Sequence, residues 1–263
     1  MDMPSPVSAP NPPAVCLQRI SRRFGEHQVL DELSLEIAPG EFVALLGASG
    51  SGKTTLLRAL AGLDRIDGGE LHAPAATATV FQEPRLMPWK RVRHNVALGV
   101  RRADAHQLAL QALDEVGLSH RIDAYPATLS GGEAQRAALA RGLVREPELF
   151  LLDEPFAALD ALTRIRMHAL LLELWRKHRP AVLLVTHDIN EAILLADRVL
   201  VLVQGRIAED VPVPWPRPRH QGEARFDTLR RHFLSLLGVP EADGAEHESA
   251  DGADRRPHNT QET

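Results

Sequence analysis

The stretch GASGSGKTT at residues 47–55 holds the most specific chemistry in the chain. Gly47, Gly52, Lys53 and Thr54 fit G-x-x-x-x-G-K-[ST], with Ala48, Ser49, Gly50 and Ser51 inside the pattern and Thr55 just past it. The apolar run EFVALL (41–46) precedes it and the helical TTLLRALAG follows, the strand, loop and helix context that the pattern needs. Glycines there let backbone amides converge on a phosphate. Lys53 would neutralise β and γ oxygens, and the Thr54 hydroxyl would ligate Mg2+. Without that context the same letters would be an ordinary glycine-rich turn.

Three other apolar runs end in polar groups of matching chemistry. LFLL (149–152) leads into Asp153, placed to hold Mg2+ through its water shell, and Glu154, a carboxylate able to orient and deprotonate an attacking water. Pro155 biases Glu154 towards an extended backbone. Gln82 follows ATVF (78–81), and His187 follows AVLLV (181–185) and Thr186. Alone, each would be a solvated turn residue. Together with the phosphate loop they read as γ-phosphate sensors, Gln82 on the metal and water side and His187 donating to a phosphate oxygen, because ligands of open parallel sheets lie at the carboxyl ends of strands.

A second helix start sits at LSGGEAQRAALARGL, residues 129–143. Ser130 is a good N-cap, Glu133 three residues on completes a capping box, and Gly131 and Gly132 leave the free amides open to an anion. A capped structural helix is the plainer alternative. The chain therefore carries a spare anion site.

The elements that position these residues alternate. VCLQRI (15–20) and QVLDELSLEI (28–37) have the period of half-buried strands, and VLVLV (199–203) adds another buried run. Helical patterns lie at 53–61, 104–117, 130–145, 161–178 and 189–196. The pattern predicts an α/β domain over 14–240: a P-loop NTPase core with a mainly parallel sheet, an N-terminal antiparallel β subdomain, a helical subdomain inserted at about 84–145 and a C-terminal extension at about 210–240. Residues 1–13, rich in Pro and Ser, and 241–263, nearly without apolar side chains, read as disordered tails.

Composition narrows the function. With 30 Lys and Arg against 35 Asp and Glu, net charge −5, the chain is a poor candidate for binding nucleic acid. The one cysteine, Cys16, forms no internal disulfide, which fits the cytosol. The start MDMPSPVSAPNPPAV lacks the features of a signal peptide, and no run is long enough to span a bilayer. Work at a membrane would need another chain to do the spanning.

LSGGEAQR, about twenty residues before LFLLDEP, together with GASGSGKTT, FQ and VTHD, resembles the ATP-binding cassette ATPases of ABC transporters over roughly residues 14–205. The resemblance implies that Ser130, Gly131 and Gly132 cap the γ-phosphate of ATP held by a second copy, so that a homodimer closes head to tail over two Mg-ATP. It places Asp160, in ALD, at the dimer seam, although Asp160 is equally the N-cap of helix 161–178. Phe24 occupies the place of a tyrosine that stacks on adenine; core packing is the alternative. Glu133 stands where the family most often has Gln, which puts a negative charge near a phosphate.

Further partners are implied by the same resemblance: two membrane-spanning permease subunits at the cytoplasmic face of the cell inner membrane and, indirectly, a periplasmic substrate-binding protein. Leu86, Met87, Pro88 and Trp89 form either a socket for a permease helix or part of the helical subdomain's own core. PWKRVRHNV, DEPFAALDALTRIRMH and the tail VPVPWPRPRHQGEARFDTLRRHFLSLL are similar to importers of nitrate, sulfonates and taurine, and the tail most resembles the ATPases of aliphatic sulfonate importers. A soluble cassette ATPase of DNA or ribosomes would call for coiled-coil heptads, zinc cysteines, paired cassettes or strong basic charge. A non-hydrolysing regulator would have lost Glu154 or His187.

Overall fold

The computed structural model describes residues 12–238. The expected tails at 1–13 and 241–263 fall outside them, apart from residues 12 and 13.

Two sheets share the work. Strands β1 (Val15–Phe24), β2 (His27–Ile37) and β4 (Gly68–His72) pair antiparallel in the order β2-β1-β4. The second sheet has the order β5-β6-β7-β3-β8-β9, from β3 (Phe42–Leu46), β5 (Thr77–Val80), β6 (Leu149–Asp153), β7 (Ala181–Val185), β8 (Arg198–Val203) and β9 (Arg206–Pro212). All its neighbours run parallel except the β8–β9 hairpin.

The nearly all-apolar runs follow from burial on both faces. Along β3, Phe42, Ala44 and Leu46 enter one core while Val43 and Leu45 enter the other. Each such leucine contributes about 1.5–3 kcal/mol on burial. The first core packs α3 (Ala105–Glu115), α4 (Gly131–Leu143), α5 (Ala161–His178), α6 (Ile189–Leu195) and α7 (Ala224–Leu236) on the sheet; the second packs α1 (Lys53–Leu60) and the antiparallel strands.

Between β5 and β6 lie α2 (Val92–Val96), α3, α4 and two single 3₁₀ turns, with no strand. Several expected bounds shift. The strand expected at 78–81 ends at Val80, because Phe81 leaves the sheet and its ring receives the Arg85 guanidinium at 3.8 Å. The helices expected at 104–117 and 130–145 are shorter, since Asp104 and Ser130 are their N-caps and Val116 and Val144 their C-caps. β4 and β9 were not visible in the sequence: one is a short glycine-led edge, the other a charged edge strand.

The C-terminal extension is fixed from inside. Phe226 and Phe233 enter the core, and the buried Arg219 donates to the carbonyls of Ile193, Ala196, Val213 and Trp215. Burial, then neighbouring Arg217, pushes the Arg219 pKa down to about 10, so the guanidinium stays charged at neutral pH and ties the segment 213–219 to the end of α6. No described helix is long and apolar enough to cross a membrane.

Candidate active site

Strand order builds the site. β3 and β7 are neighbours and β6 flanks β7, so the phosphate loop, His187 and Glu154 leave the same ends of adjacent parallel strands. Phe24, Ser49, Gly50, Gly52, Lys53, Thr54, Thr55, Glu154 and His187 line one open cavity of about 600 Å³, joined by His27 and Val29.

The loop is shaped by its glycines and its lysine. A Cβ on Gly47 would meet Ser51 Oγ at 2.5 Å and the Leu202 carbonyl at 2.6 Å. Gly52 caps α1 at φ 108, where a Cβ would meet the Val29 carbonyl at 2.7 Å. Lys53 is buried and its Nζ donates to the carbonyls of Gly47 and Ala48 at 2.8 and 2.9 Å. Burial lowers its pKa, against the opposing charges of Glu154 and Asp153. Ser51 is also buried, with its Oγ against Gly47.

His187 Nδ1 lies 3.1 Å from Glu154 Oε2. Glu154 is not extended as Pro155 suggested: its φ is 44°, in the left-handed region, held by its amide donating to the Val185 carbonyl at 2.9 Å. That turn is what lifts the side chain off β6 and towards the cavity, a local strain that neighbouring strand β7 maintains. Asp153 ends β6, and burial followed by the Glu154 charge raises its carboxyl above the usual range. Gln82 is exposed beyond β5, three strands from β3, and does not line the cavity.

Phe24 is 49% exposed at the cavity wall, with the Arg22 guanidinium 4.3 Å from its ring centroid. Core packing therefore does not account for it. Its neighbour Arg22 is held by Asp64 and Asp67.

The glycine helix start faces elsewhere. Ser130, Gly131 and Gly132 line a cavity of about 620 Å³ with Asp160, Thr163 and Arg166, and that cavity shares no lining residue with the one at the phosphate loop. The capping box is complete: Glu133 donates its amide to Ser130 Oγ at 3.2 Å, and Ser130 donates its amide to Glu133 Oε2 at 2.8 Å. Nothing lies within 4 Å of a Cβ built on Gly131. Asp160 accepts from the Thr163 amide at 3.0 Å as the N-cap of α5 and lines the same cavity. Trp89 is 72% exposed while Leu86 packs on the core, so the LMPW stretch divides between the two readings.

The family model described as ABC transporter matches residues 30–157. An aliphatic sulfonates import ATP-binding protein of Pseudomonas syringae pv. tomato, SsuB 1, is 64% identical over 95% of this chain and 91% of its own length. The chain belongs to the family of ABC transporter ATP-binding proteins. The correspondingly named SsuB of Granulibacter bethesdensis is 63% identical over 88% of this chain and 97% of its own length. Among solved structures, a dimeric post-hydrolysis state of the ATP-binding cassette MJ0796 bound to ADP and Pi superimposes with a TM-score of 0.69 at 30% identity, over 77% of this chain and all of that one.

In this ABC cassette the charge of Glu133 is spent internally. Its carboxylate accepts from the Ser130 amide and pairs with Arg121 Nε at 2.8 Å, and those contacts bring its pKa down to about 2. Arg121 lies in the first of the two 3₁₀ turns before α4, twelve positions away, with no local signal to announce the pairing. Glu133→Gln keeps a capping acceptor and gives up the ion pair, an expected loss of about 1 kcal/mol at pH 7. The folded pKa is below the unfolded one, so this stability is complete above about pH 5 and fades as pH falls towards 2. Melting temperatures of both proteins at pH 7 and pH 3 check it: the gap narrows at pH 3, and an equal gap at both would contradict the pairing.

Proposed function

We propose that this chain is the ATP-binding subunit of an importer for aliphatic sulfonates and hydrolyses Mg-ATP at the seam of a head-to-tail homodimer. The observation that carries the dimeric reading is the separation of the two anion sites, one at the phosphate loop and one at Ser130, which open on different cavities of the same chain. The 64% identity to an aliphatic sulfonates import ATP-binding protein supports the transport substrate. ATPases of taurine or nitrate importers are the second reading.

In this proposal the amides of residues 47–52 and Lys53 take the phosphates, and Lys53 exchanges its loop carbonyls for phosphate oxygens. Thr54 and Asp153 would offer the hard oxygens that suit Mg2+, with Gln82 moving in from outside the cavity to join them, and the carboxyl of Asp153, raised by burial, gains most from a nearby cation. Mg2+ held there would supply neutralising charge for the phosphates. Glu154 removes a proton from the attacking water, whose oxygen bonds to the γ-phosphorus as the bond to the β–γ bridging oxygen breaks. His187 donates to a γ oxygen, and Ser130, Gly131 and Gly132 of the second copy close over it.

Phe24 is assigned the adenine ring. Phe24→Ala is expected to raise KM for ATP about tenfold, the worth of one aromatic stack, and an unchanged KM in steady-state ATPase assays would remove that role.

The permease subunits would dock on exposed Trp89 and on a groove of about 360 Å³ lined by Leu63, Phe81, Leu98, Arg85, Arg141 and Arg145. Such docking puts the chain at the cytoplasmic face of the inner membrane, with the periplasmic binding protein reached only through the permease. A deletion strain grown with alkanesulfonates, taurine or sulfate as sole sulfur source tests the substrate. Growth is expected to fail on alkanesulfonates alone; normal growth on all of them would overturn the assignment.

A further inference from the structure

Glu191 is a buried carboxylate that the site described above does not use. It is 5% exposed on α6, and its Oε2 accepts from the Thr186 hydroxyl at 2.7 Å. Thr186 Oγ in turn accepts from the Asp188 amide at 3.0 Å. Both neighbours of His187 are thus tied to one hydroxyl, and that hydroxyl is tied to Glu191.

The other oxygen of Glu191 faces α5. Arg164 Nε lies 3.7 Å from Oε1 and His168 Nε2 lies 3.5 Å from it, ionic distances at which neither nitrogen makes a hydrogen bond. Phe156, fully buried, holds the His168 ring edge-to-face at 4.6 Å between centroids. Arg164 also reaches Asp188 Oδ2 at 3.6 Å and donates to the Leu159 carbonyl at 3.2 Å. A void of about 40 Å³ is shared by Glu154, His187, Arg164 and Glu191. The first turn of α5 that carries Arg164 begins at Asp160, on the wall of the second cavity.

From this arrangement we infer that Glu191 is a positioning residue for His187, acting through Thr186, and that α5 sets how firmly it does so. A buried carboxylate needs partners, and here the strong one is the hydroxyl of the His187 loop. The contacts to α5 stop just short of hydrogen-bond distance, so a sub-ångström approach of its first turn completes them. The start of α5 that faces the second cavity is in this way mechanically joined to the group facing the phosphate loop.

The inference rests on the reading of His187 as a γ-phosphate group. Misplacing a reacting group by about an ångström costs about 100-fold, and a loosened loop is expected to cost about tenfold. The test uses the full chain with Thr186→Val, Thr186→Ser and Glu191→Ala, measured by steady-state ATPase assays, binding of a fluorescent ATP analogue and thermal melting. Thr186→Val is expected to lose about tenfold in kcat with KM, analogue affinity and melting temperature nearly unchanged, and Thr186→Ser, which restores the hydroxyl, to recover most of the loss. Glu191→Ala follows Thr186→Val where it folds; Thr186→Val decides the matter where it does not. Wild-type kcat in Thr186→Val, a Thr186→Ser as slow as the valine variant, or a loss confined to KM overturns the inference. His187→Ala separates the two levels: slow turnover there with normal turnover in Thr186→Val removes the positioning role alone, while normal turnover in His187→Ala removes both.

Discussion

Glu154→Gln is expected to bind ATP as the parent does and to hydrolyse it about 10²–10⁴ times more slowly, the usual worth of a positioned general base. The amide has the carboxylate's shape and can keep an oxygen near His187, whose Nδ1 stands 3.1 Å from Oε2 in the parent. It cannot take the proton from water. A loaded site that no longer turns over should hold the two copies closed, so the variant should elute from a sizing column as a dimer when ATP and Mg2+ are present and as a monomer without them. Unchanged turnover would leave the left-handed turn at Glu154 without its proposed purpose.

Lys53→Ala should fail one step earlier. The ammonium braces the loop through the Gly47 and Ala48 carbonyls, and phosphate oxygens would take the place of those acceptors. Two charge-assisted hydrogen bonds contribute about 3 kcal/mol together, or about 100-fold in affinity. Titration with a fluorescent ATP analogue reads this directly, and the two variants should separate cleanly: one binds without turning over, the other does not bind. Affinity within a few-fold of the parent in Lys53→Ala would contradict the role given to the loop.

Much of this was visible in the residues themselves. The parallel core was legible because its strands are buried on both faces and read as unbroken apolar runs, and the ends of those runs carried the polar groups. Phosphate loop, Glu154 and His187 share a cavity because β6, β7 and β3 are neighbours, an order that no single segment encodes. Gln82 follows the same kind of run as His187, yet β5 lies at the sheet's far edge, and so Gln82 stands outside the cavity that His187 lines. The exposure of Phe24 was undecidable locally, since alternation along β1 gives a face and not what covers it. Glu154 went against its sequence expectation because a tertiary contact, its amide with the Val185 carbonyl, outweighs the preference set by Pro155. The pairing of Glu133 with Arg121 and the bonding of Arg219 to the end of α6 depend on contacts across the fold, which leave no spacing signal.

Each ATP is expected to be enclosed by the phosphate loop of one copy and the serine–glycine helix start of another. A cryo-EM or crystal structure of Glu154→Gln loaded with Mg-ATP measures it most directly. Ser130 Oγ and the Gly132 amide of one copy are expected within about 3 Å of γ-phosphate oxygens held by residues 47–54 of the other. A nucleotide-loaded dimer in which those helix starts face solvent, or face each other with no nucleotide between them, would contradict it.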